Sequence, residues 1–303
     1  MDFEAECEMI QDINYKDGDA ITVIDCDSAE QFWDVLSPQK ILKGGATDFI
    51  YRGQRDAKWQ LLLSVLRDEG PVVRISPERR ENCANRFFLE MVILKEFVSY
   101  CDRTSLRIPT DSMEFREKYL DVGEAADYSL KPNQWPPKEI WEVMALAQHH
   151  GVPTRLLDWS RRSYVAAYFA ASDVLTTRAN DRPERMAVWA FDVESHRVFE
   201  NISVVRVPGS TSTNLAAQVG VFTLVREEET LARESYSPNT LEKEIQNHPN
   251  LLWKITVPAK EASNILDLCQ IYAVSGATLF PGFDGAARSV LDFVNSAEFE
   301  FNK

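Results

Sequence analysis

The sequence predicts an α+β protein with a mixed or antiparallel sheet and a helical elaboration. Segments with helical periodicity come mostly first, and segments rich in β-branched and aromatic residues mostly later. No Pro/Gly/Ser-rich linker divides the chain, so 27–303 reads as one domain behind an acidic extension at 1–26. The 303 residues suffice to bury a core without disulfide or metal staples.

The elements follow in order. The extension ends in the apolar run AITVIDC, a candidate strand. In DSAEQFWDVL, Ser28 and Gln31 stand three apart as a capping box, opening a helix expected to stop near Gly44-Gly45. DFIYRG reads as a short strand leading to a turn at Gly53. NRFFLEMVILKEFVSYC is a long buried helix and starts the elaboration around 80–150. Residues 103–137, polar and carrying Pro132, Pro136 and Pro137, read as a surface excursion. EIWEVMALAQHH is a helix stopped by Gly151 and Pro153, and SYVAAYFAASDVL is a second one. MAVWAFDV, ISVVRV, GVFTLV and LLWKITV are strands, and AKEASNILDLCQIYAV and DGAARSVLDFVNS close the chain as helices.

Composition narrows the function classes. A net charge of −14 disfavours broad, non-specific binding to nucleic acid, because no positive surplus meets the phosphates. It leaves room for local basic clusters such as Arg155, Arg161 and Arg162, or Arg178, Arg182 and Arg185, which read first as solvated faces. No stretch approaches the roughly 18 apolar residues of a transmembrane helix, so no membrane partner is expected. The acidic opening MDFEAECEMIQD lacks the basic-then-apolar plan of a secretory signal. Five cysteines without a CxxC pair suit reduced thiols, so a cytoplasmic location is expected.

The motifs leave few chemistries open. His149 and His150 are consecutive, so on a helix they point about 100° apart and grip one ion poorly; no metal is expected. No GxSxG, Walker loop or cysteine-protease context is present, which leaves a nuclease or other hydrolase without positive support. GSTSTN (209–214) either presents hydroxyls to a ligand or caps a helix over NLAAQ. PTRLLDWS sets Arg155 and Asp158 three apart. Either they pair and fix the loop, or Arg155 faces a ligand, since guanidinium suits both carboxylate and phosphate. Arg52 in YRGQ offers the same choice, with Gly53 allowing close approach and Gln54 and Arg55 adding donors.

YRGQ (51–54), Trp59 with SVLR (64–67), AQHHGVPTRLLDWS (147–160), AAYFA (166–170), AQVGVFTL (217–224) and TLFPGFDGAA (278–287) run in an order that resembles the FRG domain family, named for an aromatic-Arg-Gly motif. A weaker likeness connects YRG, LLDWS with its following helix, and AQVGVFTL to the Arg-Ser-Glu class of ADP-ribosyltransferases. That second resemblance implies an ADP-ribosyltransferase-like sheet core and an NAD-consuming enzyme, a transferase or NAD glycohydrolase. It would be a bacterial toxin or phage-defence effector with a macromolecular acceptor and a possible antitoxin or regulatory protein. It implies that Arg52 holds the NAD diphosphate or nicotinamide ribose phosphate, beside Gly53, Gln54 and Arg155. Asp158 and Ser160 border the nicotinamide pocket. Gln218, or a glutamate among Glu227 to Glu229, faces the ribose hydroxyl. The alternative is a non-catalytic nucleotide-binding or interaction module, motivated by a neutral glutamine where a carboxylate better stabilises a ribosyl cation.

Overall fold

The computed structural model describes residues 14–17, 21–38, 48–67, 70, 74–75, 83–121, 123, 128, 131–194, 199–227, 240–248 and 251–301. Strands β1 (Asn14–Asp17) and β2 (Ile21–Asp25) come first, so the sheet begins inside the segment read as an extension. Helix α1 (Ala29–Val35) follows, capped by the Ser28 hydroxyl on the Gln31 amide. The Gln31 side chain reaches the amide of Asp27 at 2.7 Å, one residue outside a strict capping box. This helix stops at Val35, short of the expected end, just ahead of Pro38, a residue that cannot continue a helix. The Gly44-Gly45 stop lies outside the described residues.

Next come β3 (Phe49–Gln54), α2 (Cys83–Arg103), α3 (Met113–Tyr119) and α4 (Trp141–His149). The middle of the chain continues with β4 (Leu157–Ser160), α5 (Ser163–Leu175), β5 (Arg185–Asp192) and β6 (Ile202–Val205). Then follow α6 (Thr213–Ala217), β7 (Gly220–Val225), α7 (Leu241–Glu244) and β8 (Leu252–Pro258). Helices α8 (Ala262–Ile271), α9 (Gly276–Leu279) and α10 (Phe283–Phe301) close the chain. Among the described residues no helix is long and apolar enough to cross a membrane.

The strands form one eight-stranded sheet in the order β1-β2-β8-β5-β3-β4-β7-β6. Among the described residues only β2 and β8 run parallel; the other pairings are antiparallel, so the fold is α+β with a mixed sheet. Period-two alternation assigns the faces. Tyr51, Val188 and Ile255 point into a core with α1, α5 and α8, whereas Ile50, Trp189 and Phe191 point into one with Leu61, Leu63 and Leu241. At the far end, Val205, Phe222 and Leu224 pack against α2 and α4. Because Tyr51 pairs with Ser160 and Asp158 with Phe222, these side chains share one sheet face. That face carries α5 over β3 and the helical lobe over β7, and Asp158 falls between them.

The 103–137 segment is not a plain surface excursion. Ile108, Phe115, Leu120 and Trp135 are buried in the lobe, and Trp135 is 1% exposed. Spaced singly among polar residues, these apolar anchors show no periodicity to read in the sequence.

Candidate functional site

The motif YRG lies within a strand, not at a turn. Gly53 pairs with Val188 on β5, and α5 crosses it closely. A Cβ at this position would stand 2.0 Å from the Ala166 carbonyl oxygen and 2.8 Å from the Ala170 amide nitrogen. The glycine and the small residues of AAYFA are therefore one packing device, which seats α5 on β3.

Beside Gly53 the ladder between β3 and β4 is reduced to one register pair, Tyr51 with Ser160. Past that pair Arg52 fills the opening. Its Nη1 donates to the Asp158 carbonyl at 2.8 Å and lies 3.7 Å from the Asp158 carboxylate. Its Nε is buried without a hydrogen-bond partner. Burial lowers the Arg52 pKa; the Asp158 charge opposes this, and the nearby Arg67 charge pushes the same way. Arg67 belongs to SVLR, so the charge of one sequence motif is felt at the arginine of another.

Asp158 is exposed and held from the other side by Gln148, whose amide donates to its Oδ1 at 2.6 Å. The Thr154 hydroxyl donates in turn to the Gln148 side-chain oxygen. Thr154 is tied to Ser64 by two hydrogen bonds, so QHHGVPT closes back on SVLR. Gly151, at φ 85°, supplies the left-handed residue that lets α4 turn into this loop.

A polar cavity of about 50 Å³ opens on Asp158, lined also by His149, Thr211, Ser212, Gln218 and Phe222. Ser160 supports it from below: its hydroxyl donates to the Gln218 carbonyl at 2.7 Å. The Gln218 amide nitrogen donates to the Leu279 carbonyl at 3.2 Å. Of the two readings of GSTSTN the cap holds: the Ser212 hydroxyl accepts from the Leu215 amide, and Thr211, which also lines the cavity, donates its hydroxyl to Glu142 at 2.9 Å. The His149 Nε2 sits 3.2 Å from the Asn214 amide nitrogen, so it accepts as a neutral ring. Burial lowers its pKa, His150 adds repulsion, and Asp158 opposes both. His150 turns outward, its ring nearly perpendicular to that of His149.

Two expected ligand residues belong to the scaffold. Arg155 is held by glutamates rather than by Asp158 and is not among the residues that line the Asp158 cavity. It is fully buried, with Nε and Nη2 on Glu90 at 2.9 and 2.6 Å and Nη1 on Glu227 at 2.9 Å. Trp135 donates to the same Glu90 carboxylate at 2.8 Å, and Arg86 stands 3.6 Å from Glu227. Glu227 is thereby locked away from the cavity, and Glu228 and Glu229 lie outside the described residues. Gln54 is likewise committed, accepting from Trp189 Nε1 at 2.7 Å and donating to the Gln60 carbonyl at 3.1 Å.

The structure thus brings Asp158, Ser160 and Gln218 to one cavity, with Arg52 behind Asp158 in the strand opening. Sequence reasoning missed Gln148, His149 and Thr154 as parts of the site. Their signal was position: all three sit in the same motif as Asp158, AQHHGVPTRLLDWS. Among the described residues no group of three His, Cys, Asp or Glu side chains could hold a metal ion.

A family model for the FRG domain matches residues 47–179, which include Arg52, Gly53, Gln148, Arg155, Asp158, Ser160 and α5 but not Gln218. No curated protein and no solved structure matches the chain. The chain therefore carries an FRG domain at residues 47–179, the part that builds the Arg52–Asp158 junction.

Proposed function

We propose that the chain binds NAD and breaks its nicotinamide–ribose bond, as an ADP-ribosyltransferase or NAD glycohydrolase. The observation that carries this reading is Arg52, whose buried Nε lacks a hydrogen-bond partner while its Nη1 lies 3.7 Å from the Asp158 carboxylate. A guanidinium with a free donor suits a diphosphate, which accepts bidentate hydrogen bonds. Asp158 supplies the carboxylate at the cavity wall. In the reaction the C1′–N bond breaks, nicotinamide leaves with the electron pair, and the ribosyl cation forms beside Asp158. Water or a macromolecular nucleophile then attacks C1′ and loses its proton. Consumption of NAD or marking of a macromolecule fits a toxin or phage-defence effector, kept in check by an antitoxin or regulatory protein.

The second reading is a nucleotide-binding module without turnover. It is favoured by Gln218, which is neutral and has its amide nitrogen on Leu279. A cavity of about 50 Å³ also has room for water rather than a dinucleotide, so binding must widen it. Nicotinamide release from NAD, followed with and without cell lysate, decides between them. The wild type is expected to release nicotinamide, and Asp158→Asn to lower the rate by about 10²–10³. Arg52→Ala is expected to abolish NAD binding in calorimetry. Tight binding without release selects the second reading, and neither binding nor release overturns both.

A further inference from the structure

Helix α10 is turned inside out. Toward the body it presents Gly285, Ser289, Asp292, Ser296 and Phe299. A Cβ on Gly285 would stand 1.9 Å from the Phe280 carbonyl oxygen, so this end docks by close backbone approach. The Ser289 hydroxyl accepts from the Ala277 amide at 2.8 Å. The Asp292 carboxylate accepts from the Tyr168 and Ser172 hydroxyls, each at 2.6 Å, and Ser296 meets Ser263. These polar contacts fix how the helix is rotated on the body.

Toward solvent it presents Phe283, Ala287, Val290, Val294, Ala297 and Phe301, all exposed, the two phenylalanines at 95% and 91%. A helix on a globular surface normally buries its apolar stripe and exposes its polar one. Scattered apolar side chains on a surface need no explanation. These six follow one another at spacings of four, three, four, three and four, the a/d repeat of a helix that packs against another helix.

The order of the stripe identifies the occupant. Phe, Ala, Val, Val, Ala, Phe reads the same from both ends. We propose that α10 is a two-fold interface on which a second copy of this chain docks its own α10 antiparallel. With the axis at Asp292, Phe283 faces the partner's Phe301, Ala287 the partner's Ala297, and Val290 the partner's Val294. Each layer then joins an a position to a d position, as antiparallel pairing requires. The alanine layers let the helices approach closely, while Leu291 and Phe293, 58% and 73% exposed, lie near the axis and extend the contact. The helix is about 28 Å long and already folded, so pairing orders little new chain. A specific interface needs roughly 1,000 Å² in total, within reach of two five-turn helices with this outward face.

Sedimentation of the full chain across the micromolar range tests this. The wild type is expected to be a dimer that tightens with salt, because each copy carries a charge of −14. The double variant Val290→Glu/Val294→Glu is expected to dimerise at least about a hundredfold more weakly. Its circular dichroism should be unchanged, since both side chains face solvent in the single chain. Orientation is read by oxidation of single-cysteine additions. Leu291→Cys, near the axis, should cross-link; Phe283→Cys should not, its two copies lying about 27 Å apart. A monomeric wild type, a glutamate variant that still dimerises fully, or a cross-link at position 283 overturns the proposal.

Discussion

Arg52 and Arg155 both come from motifs that invite a ligand, and their surroundings give them opposite work. Arg155 neutralises Glu90 and shares Glu227 with Arg86 in a site without solvent, so its removal takes the closest cation from both buried carboxylates. Arg155→Ala is expected to cost about 3–5 kcal/mol in denaturant unfolding, whereas Arg52→Ala should leave the fold intact and remove ligand binding. Sequence spacing could not assign these roles. The partners of Arg155 lie 65 and 72 residues away, while the tempting Asp158 stands three away. A pairing across such separations exists only once the lobe has packed on β4. His149 gives a pH signature. Its folded pKa lies below the usual value near 6.5 because burial disfavours the charged ring. The contribution is complete above the unfolded pKa and is lost as pH falls through the lowered folded value, since the unfolded chain then binds the extra proton. Urea midpoints measured from neutral to mildly acidic pH should show this fall, and His149→Gln should remove it.

At the level of elements, local pattern was informative. Every helix and strand from EIWEVMALAQHH to the C-terminal helix is present, because periodicity, Ser caps and the Gly151 stop act within a few residues. What local pattern could not supply was contact between elements. Gly53 read as a turn residue because glycine permits turns; it is instead a strand position over which α5 passes at backbone distance. Gly53→Ala is therefore expected to destabilise by at least about 1–3 kcal/mol, the range for overpacking, measured by thermal melting. The close atoms are backbone, which cannot move aside as a side chain tip would. The polar 103–137 stretch failed for the complementary reason: four scattered apolar residues suffice to anchor it, and nothing in their spacing announces this.

Across the whole molecule, the matched segment and the folding unit do not coincide. Residues 47–179 contain β3 and β4, yet β3 is paired along its length with β5 and β4 with β7, both from later in the chain. A fragment limited to 47–179 is expected to show no cooperative unfolding transition by circular dichroism, whereas the whole chain shows one. The sheet order carries a second consequence. Strands β5 and β8 share seven register pairs and β3 and β5 share six, but β3 and β4 share one. Amide protons on either side of that junction are expected to fall into two sets that exchange with deuterium at separate rates, each set opening as its own cooperative unit. Arg52 bridges the two sets through Asp158, so an anion gripped there would couple them, and slower exchange at the strand ends would report its arrival before any bond is broken.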